Sequence, residues 1–569
     1  MATGASVFSL ETERLGALPL LNHFLERLGL EATLDRFVPR RDRRTPLPPA
    51  KALGVLLRSI LVERDPLYRQ QETVSRFAPA AFGLTQAEVE ALRDDQIGRA
   101  LDRLFDADRG SLLTELVVTL RRRFRLRMDE LHNDSTTVRL SGQYRQARGR
   151  SIRGRRGPWI TYGFSKDHRP DLKQLLFVLS TTGEGGVPVQ FRCEDGQAND
   201  AVTHRETWDA LRVVAGRADF LYVADSKLCT QENLAYLDRH QGRFVTVLPR
   251  TRKEDEEFRE WIQTHEPEWT LAVDRPHPRR RDGPRDRWRV YRSPLPSQEG
   301  WPVIWVWSSL LTLKQQASRR DRIARARDAL EDLDARLLRG RSRMRTPADV
   351  KQAVEERLGP LHVRRYVDPR VEVEAQHRYV QAAPGRPGAN TRYRRVTRRQ
   401  LRLRWSIDEV TIAYDQKSDG MYPLLTNDRS LTPEEVLAAH KRQPQIEKRF
   451  SQMKSVHAIA PVLLKNEGRI EALFTVYFIA LLVQALIERE LRRKMKREGL
   501  DELPLYPEER MCTRPTAEQI LRLFAPTERH LLFRKGRRIE TFHPKFTELQ
   551  TDVLRLLGVP RAAYRRTHP

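Results

Sequence analysis

The sequence predicts an α/β fold: a mixed β-sheet flanked by helices, with an inserted α+β subdomain and an all-helical N-terminal domain. Three observations support this prediction. Short β-branched and aromatic runs alternate with helical patterns over residues 127–250 and resume after residue 400. Residues 251–400 interrupt this alternation with basic, loop-forming sequence. Residues 12–126 carry apolar side chains at helical spacing.

The core region contains the clearest elements. "FLYVA" (220–224) has the character of a buried strand, and helices are expected at about 203–215 and 230–239. "ALFTVYFIALLVQALI" (472–487) contains Gln484 and continues directly into "ERELRRKMKRE". It is short for a membrane span, so we interpret it as the buried part of a long helix.

The inserted region predicts a pair of helices. Apolar positions at intervals of 7, 3 and 4 residues fit a coiled-coil seam, and a second apolar series follows at helical spacing. The first series is Ile323, Leu330, Leu333 and Leu337, and the second is Val350, Val354 and Leu358. After the insertion, "LRWSIDEVTIAYD" and "GMYPLLTN" are expected to resume strand structure.

The charge balance indicates a polyanionic partner. The 569 residues include 103 Lys and Arg against 76 Asp and Glu, a formal net charge of +27. In a chain with many acids this points to a folded protein with basic surfaces, and nucleic acid is the leading partner. A ribosome-associated or merely basic protein is the alternative. The three cysteines form no CxxC pair, and the N-terminal residues lack a signal-peptide pattern, so we expect a soluble, cytoplasmic protein.

Two aspartates are candidates for chemistry. Asp134, in "LHNDSTTVRL", is expected within or at the end of a strand, although Asp before Ser and Thr also suits an ordinary turn. Asp225 ends the strand "FLYVA", where ligand sites form in open α/β sheets. Its structural alternative is a cap on the helix that starts near residue 230.

The third candidate is Glu447, the single acid in the basic stretch "HKRQPQIEKRFSQMKS" (440–455). On an ideal helix His440, Gln443, Glu447 and Lys454 project within about 60° of one another. An apolar stripe adjoins them at Ile446, Phe450 and Met453. Pro444 marks the first turn of a new helix, which leaves His440 on the preceding segment. An incidental Glu–Lys ion pair on a solvated helix is the structural alternative.

Together these three carboxylates suit an oxygen-lined Mg²⁺ site that acts on nucleic acid. Clustered carboxylates repel one another and DNA unless a metal ion offsets their charge. Two ions about 3.5–4 Å apart serve this purpose in phosphoryl transfer. We therefore expect two Mg²⁺ ions, with Mn²⁺ as a substitute.

The sequence resembles the DDE transposases of bacterial insertion sequences, whose catalytic core is ribonuclease-H-like. The matching stretches are "NDSTTV", "GFSKDHRPDLKQL", "FLYVADSKL", "YDQKSDGMYPLLTN" and "QPQIEKRFSQMK", over roughly residues 126–490. The resemblance implies that Asp134, Asp225 and Glu447 are the metal-binding catalytic triad. It also implies that the inserted subdomain lies between the second Asp and the Glu.

Members of this branch carry a signature of Tyr, two residues, Arg, three residues, Glu, six residues, Lys. Here Glu447 and Lys454 match it, whereas His440 stands for Tyr and Gln443 for Arg. The resemblance implies phosphate contacts at these positions, weakened at Gln443 because it has no charge. Arg449, among the basic residues near Glu447, is expected to contact DNA as well.

The same resemblance implies the function and the partners. The expected reaction is cleavage of one strand at each element end, followed by attack of the freed 3′-hydroxyl on target DNA. The partners are double-stranded DNA, as terminal inverted repeats and target, and a second copy of the chain in a homodimer. Two alternatives stay open: an inactive transposase-derived DNA-binding protein, and a ribonuclease-H-like nuclease or resolvase.

Four parts of the chain follow from these patterns. Residues 1–126 form a helical domain for DNA binding, dimerisation or both. Residues 127–250 and 401–498 form the catalytic core, residues 251–400 the insertion, and residues 499–569 a helical C-terminal region. Four tryptophans of the insertion are candidates for base stacking in a hairpin-forming reaction, but an alternating Trp pattern is more typical of a sheet, so we assign none of them. They are Trp288, Trp301, Trp305 and Trp307.

Overall fold

The computed structural model describes residues 8–39, 47–166, 168–278, 280, 282–339, 344–460, 462 and 464–566. Residues 1–7, part of the segment examined for a signal peptide, and Asp167 of "GFSKDHRPDLKQL" lie outside this range. The chain divides into two units. The first unit is Met1–Thr246 with Ala438–Pro569, and the second unit is Val247–Leu437.

The helices of the described residues are numbered in chain order. They are α1 (Leu18–Leu28), α2 (Leu30–Phe37), α3 (Pro49–Val62), α4 (Gln70–Ser75), α5 (Gln86–Ala91), α6 (Asp94–Asp106), α7 (Arg109–Phe124), α8 (Asp200–Ala215), α9 (Gln231–Arg239), α10 (Lys253–Thr264), α11 (Ser309–Leu338), α12 (Pro347–Leu358), α13 (Glu409–Gln416), α14 (Pro433–Arg442), α15 (Pro444–Ser451), α16 (Glu467–Arg497), α17 (Ala517–Phe524) and α18 (Glu548–Leu557).

The strands follow the same order. They are β1 (Phe8–Arg14), β2 (Glu130–Leu140), β3 (Ser151–Ile152), β4 (Arg155–Arg156), β5 (Lys173–Thr182), β6 (Pro188–Glu194), β7 (Leu221–Ala224), β8 (Arg243–Val247), β9 (Thr270–Arg275), β10 (Asp286–Arg292), β11 (Val303–Ser308), β12 (Val367–Gln381), β13 (Tyr393–Ile407), β14 (Met421–Thr426), β15 (Glu528–Arg534) and β16 (Arg537–Phe542).

A mixed sheet forms the centre of the first unit. Its strands lie in the order β6-β5-β2-β7-β8. Strand β5 pairs antiparallel with both β2 and β6. Strand β7 pairs parallel with β2, and β8 pairs parallel with β7. Helices α8 and α9 provide the crossovers to β7 and β8, as parallel strands require. The predicted helices near 203–215 and 230–239 are confirmed, and so is the mixed sheet flanked by helices.

Helices cover both faces of this sheet. On one face α8 places His204 Nδ1 3.0 Å from the hydroxyl of Tyr222 in β7. On the other, Phe474 of α16 packs against Phe177 of β5 with ring centroids 5.9 Å apart. Most strand residues are therefore buried, which explains the near-continuous apolar runs in the sequence.

Helix α16 confirms the predicted long, buried helix. Among the described residues it is the one helix long and apolar enough to cross a membrane, yet 94% of its most apolar 18-residue window is buried inside the protein. Its first turn contacts α6 through Arg469 and Asp102, 2.6 Å apart, and its later part contacts α17, whose Ala517 N–H donates to Glu488. Packing against protein accounts for its apolar surface.

The two ends of the described chain differ from the sequence prediction. We expected an all-helical N-terminal domain and a helical C-terminal region. Instead, β1 pairs antiparallel with β15, and β15 pairs with β16, in a three-stranded sheet. Between β1 and Phe124, the elements numbered above are all helices, α1 to α7. The strand was missed because "FSLETER" is polar and its partner lies about 520 residues away.

The second unit contains a four-stranded antiparallel array in the order β14-β11-β10-β9. The "GMYPLLTN" strand is confirmed as β14. The "EVTIAYD" segment is a helix, α13, rather than the expected strand. Asp408 caps it by accepting a hydrogen bond from the Thr411 N–H at 2.9 Å, and this cap outweighs the strand preference of the β-branched residues.

In the first unit, the expected strand "ITYGFSK" forms only an isolated bridge at Thr161.

The predicted helical seam in the insertion is confirmed. Helices α11 and α12 bury one apolar cluster together with Val367 and Leu403 at the base of the β12–β13 hairpin. Members from the two predicted series are Leu330, Leu333, Leu337, Val350, Val354 and Leu358, with Ile323 packed at the margin. A capping box of Thr346 and Asp349 starts α12.

The seam makes a stability prediction. Leu333 is 0% exposed in this cluster, so Leu333→Ala should destabilise the second unit by about 2–5 kcal/mol through lost burial and the cavity left behind. Urea unfolding followed by tryptophan fluorescence measures this, because seven of the nine tryptophans (261, 269, 288, 301, 305, 307 and 405) lie in the second unit. Leu338→Ala, on the same helix but 43% exposed, is the matched control, with an expected change within about 0.5 kcal/mol. Equal effects of the two substitutions would contradict the seam.

Candidate active site

Asp134 lies inside β2, the central strand of the first unit. Its side chain is 21% exposed and lies 3.7 Å from Lys166 Nζ. Lys166 also donates hydrogen bonds to the backbone oxygen and the hydroxyl of Ser135, each at 2.7 Å. Asp134 Oδ1 accepts from the Ser135 N–H at 2.7 Å. The carboxylate therefore has a cation beside it and remains partly open to solvent.

Asp225 directly follows β7, as the sequence predicts. Its side chain accepts a hydrogen bond from the Lys227 N–H at 3.0 Å and so caps the 3₁₀ turn Ser226–Leu228. Helix α9 has its own cap in Thr230. Asp225 therefore caps a three-residue turn and does not cap α9, which was its structural alternative. Its backbone oxygen accepts from Thr246 Oγ1 of β8 at 2.7 Å, which fixes the strand end.

The register of the sheet aligns the two aspartates. Strands β2 and β7 pair in parallel with His132 opposite Val223. Two residues further along each strand, Asp134 and Asp225 stand side by side on strands about 4.8 Å apart. Paired residues point to the same face, and His132 on that face contacts Gln443, at the start of α15. Both carboxylates therefore lie on the face that α15 covers.

Helix α15 carries Glu447. It begins at Pro444, which occupies the first helical turn as predicted, so that His440 belongs to α14. Ile446 and Phe450 are buried, and Glu447 is exposed. Glu447 lies one turn after Gln443 on the same side of the helix, so it projects from the side that contacts β2.

A polar network attaches the start of α15 to β2. The amide of Gln443 donates to the Asn133 backbone oxygen at 3.1 Å, and its oxygen lies 2.9 Å from His132 Nδ1. His132 Nε2 lies 2.7 Å from Glu130, which Arg442 contacts with two nitrogens at 2.5 Å. Burial alone would raise the pKa of Glu130, but hydrogen bonds from His132 and Arg442 lower it. Gln443 is 9% exposed, so its amide serves to position the helix.

His440 and Lys454 flank this network. Burial, Lys441 and His132 lower the pKa of His440 to about 4, so this side chain is neutral at neutral pH and adds no positive charge. Lys454 is partly buried and lies in a π-helical segment, Gln452–Val456. The wider π turn changes the angle between Glu447 and Lys454 from that of the ideal helix assumed in the sequence analysis.

Arg449 occupies a different place from the one expected. It is 2% exposed, and it donates to the backbone oxygens of Gly185 and Gly186 at 2.8 Å and to Gln452 at 2.7 Å. It also donates to Glu488 of α16 at 3.0 Å. A guanidinium so fully engaged inside the protein favours a structural role over the DNA contact we had expected.

Glu488 is the buried counter-charge of this region. Its side chain is 0% exposed, and Lys448, Arg449 and Arg492 all contact it. Burial would raise the pKa of Glu488, but these three cations lower it to about 2. Glu488 therefore stays ionised and attaches α15 to α16.

The donor set matches a hard divalent cation in chemistry. Asp134 and Asp225 offer carboxylate oxygens on one face of two adjacent strands, which Mg²⁺ prefers as ligands. Within the described part of the chain, however, no three His, Cys, Asp or Glu residues are gathered closely enough to hold an ion. The aligned aspartates fit a metal in their chemistry, and Glu447 is an exposed carboxylate on the helix that covers the same face.

Lys166 was missed by the sequence analysis. It lies within "GFSKDHRPDLKQL", one of the stretches that carried the family resemblance, but no spacing relates it to Asp134. Their proximity arises because the segment before β5 folds back on that strand, where Thr161 bridges to Gln174, and so brings Lys166 to Ser135 of β2.

Comparison with known families assigns this site to a class. A family model described as a transposase DDE domain matches residues 126–483, and one described as a domain of unknown function (DUF4277) matches residues 10–118. The first match covers more than half of the chain and includes Asp134, Asp225 and Glu447. The chain belongs to the family of transposases with a DDE domain. A search of curated proteins finds no match.

The Arg449–Glu488 pair predicts a large effect of breaking it. Arg449→Met should destabilise the first unit by about 3–5 kcal/mol, because Glu488 loses a direct partner while it stays buried. Chemical unfolding followed by far-UV circular dichroism measures the change. Arg522→Ala, which removes an arginine that is 75% exposed in its pair with Glu518, should cost no more than about 1 kcal/mol. A comparable loss in both variants would refute the buried role of Arg449.

The lowered pKa of Glu488 predicts an acid-dependent stability component. A carboxylate whose pKa falls from 4.5 to about 2 on folding stabilises the protein above about pH 4.5, and this contribution is lost as the pH falls toward 2. Unfolding free energies measured from pH 5 to pH 3 should fall less steeply in Glu488→Gln than in the wild type. Glu498→Gln, which alters a surface pair with Arg555, should leave the slope unchanged.

Proposed function

We propose that this protein is a DDE transposase that cuts DNA at the ends of its element and joins the freed 3′-hydroxyl to target DNA. Asp134, Asp225 and Glu447 would be its catalytic carboxylates. The observation that carries the proposal is the alignment of Asp134 with Asp225 on one face of two parallel strands, under a helix that bears Glu447. The family membership supports the reaction class, and the mixed strand order supports a ribonuclease-H-like core.

The carboxylates would hold the cofactor, and the surrounding residues would position them. When bound, Mg²⁺, or Mn²⁺ in its place, would supply positive charge that offsets the charge on the attacking and leaving oxygens. Lys166 would orient Asp134, and the cap on the Ser226–Leu228 turn would orient Asp225. Glu447, on the helix that covers the same face, would complete the ligand set.

The basic residues near Glu447 would divide into two groups. Lys454 remains the proposed phosphate contact. Gln443 and His440, where the family signature has Arg and Tyr, would act mainly through the network that attaches α15 to β2. Arg449 would support the same helix from the interior. Double-stranded DNA and a second copy of the chain in a homodimer are the partners that this reaction requires.

Substitution of the aspartates tests the proposal. Asp134→Asn and Asp225→Asn should each reduce both Mg²⁺-dependent cleavage and joining on the order of a hundredfold or more, because the metal charge supplies several kcal/mol. The assay uses labelled DNA that contains the repeats flanking the gene, with EDTA as the metal-free reference. Asp219→Asn is the matched control, because Asp219 precedes the opposite end of β7 and pairs with Arg217 on the surface.

The products separate the alternatives. Full activity of Asp225→Asn would remove that residue from the site. Metal-dependent cleavage without joined products would indicate a nuclease or resolvase. DNA binding without cleavage by the wild type would indicate an inactive DNA-binding protein.

A further inference from the structure

The second unit carries a long two-stranded ribbon. Strands β12 and β13 pair antiparallel over fifteen residue pairs, from Val367 opposite Ile407 to Gln381 opposite Tyr393. At about 3.4 Å per residue the ribbon is roughly 50 Å long. An isolated hairpin of this kind is at best marginally stable in water. A function outside the hydrophobic core is therefore the more economical explanation for its length.

The base of the ribbon is anchored and electrically balanced. Val367 and Leu403 belong to the apolar cluster with α11 and α12, and the Leu403 N–H donates to Asp334 at 2.8 Å. Acids occur on this part of the ribbon and pair with arginines there. The pairs are Arg370 with Asp368 at 2.9 Å, and Arg404 with Glu372 at 3.8 Å and with Glu374 at 3.7 Å.

The remainder, residues 375–399, we call the basic arm. It contains no Asp, Glu or Lys and seven arginines: Arg378, Arg386, Arg392, Arg394, Arg395, Arg398 and Arg399. All seven are exposed, and none forms an ion pair with any residue that the structure describes. Because the arm has no acidic residue, the ribbon is neutral at its base and strongly cationic along the arm.

Both faces of the arm carry arginine. Side chains alternate between faces along each strand, and paired residues share a face. One face therefore bears Arg378, Arg394 and Arg398. The other bears Arg395 and Arg399 together with Tyr379 and Tyr393, which are 66% and 53% exposed.

We propose that the basic arm is a DNA-binding element that enters the major groove of duplex DNA and contacts its phosphates. The major groove admits a two-stranded ribbon, and arginines on both faces would meet the phosphates on either side of the groove. The tyrosines add hydrogen-bond donors for the same backbone. A second copy of the chain is disfavoured as the occupant because two such arms repel each other. The inference takes DNA as the substrate from the proposed function, but its test requires no catalysis.

The salt dependence of DNA binding tests the arm. The full-length Asp225→Asn protein is titrated with a fluorescent 40-base-pair duplex of mixed sequence that lacks element ends. Each phosphate contact contributes about 0.9 to the slope of log K against log salt concentration. The added triple substitution Arg378→Ala, Arg394→Ala and Arg398→Ala should lower the slope by about 2.7 and weaken binding at least about tenfold.

A second triple variant is the matched control. Arg364→Ala, Arg370→Ala and Arg404→Ala remove the same charge from the same unit, at exposed arginines that are already paired with Glu355, Asp368 and Glu372. This variant should leave the slope within about 0.5 of the parent. Thermal melting checks that both triple variants remain folded.

Tethered cleavage locates the arm directly. An iron chelate attached to Ala389→Cys, at the tip of the arm, should cut the duplex backbone when the partly exposed Cys193 is replaced by Ser. The identically treated Cys193→Ser parent, whose Cys229 and Cys512 are buried, should not cut it. Equal slopes in the two triple variants, or no cutting from the tip, would overturn the proposal. The proposal would also be overturned if the arm triple variant kept the slope of the parent while its molar mass, measured by light scattering, differed from that of the parent. An arm-dependent slope in a protein whose wild type never cleaves DNA would instead refute only the proposed function.

Discussion

The burial of helix α16 is the constraint on which the rest of the first unit depends. Its apolar residues are surrounded on all sides, by α6 near its start, by the phenylalanines of β5 and β6 along its middle, and by α17 beyond. A helix that is apolar all round has no solvent-facing side, so every neighbour must supply a complementary surface. One segment thereby joins the N-terminal helices, the central sheet and the C-terminal helices into a single hydrophobic core.

The same helix also fixes the orientation of α15. Glu488 is ionised in the interior and gathers cations from α15 and from its own helix, so a strong electrostatic contact is made where water is excluded. Gln443 attaches the other end of α15 to β2. Pro444 and the π-helical segment limit the helix to eight residues between these two attachments. Glu447 therefore has a well-placed backbone and an exposed side chain.

Local patterns predicted those elements whose partners are near or whose burial is complete. The strand that ends at Asp225, the apolar helix α16 and the seam through Leu333 each have a strong signal within a few turns of chain. Strand β1 does not, because its seven residues are mostly polar and its pairing is decided by β15. The DNA contact expected of Arg449 is disfavoured for a related reason: a basic cluster favours a phosphate surface until Glu488, 39 residues later, is known to lie against Arg449. The sequence indicated the three carboxylates of the candidate site. The register that aligns two of them and the proximity of Lys166 to Asp134 became visible only in the structure.

The sheet formed by β1, β15 and β16 has a consequence for synthesis of the chain. Its central strand, β15, is synthesised long after β1, with which it pairs. The segment that contains α15 and α16 is likewise made after the whole second unit. At a translation rate of about 5–20 residues per second, the first unit waits tens of seconds for these elements. A chain that terminates within the second unit thus lacks α15 with Glu447 and the core helix α16, so its first unit cannot complete its fold.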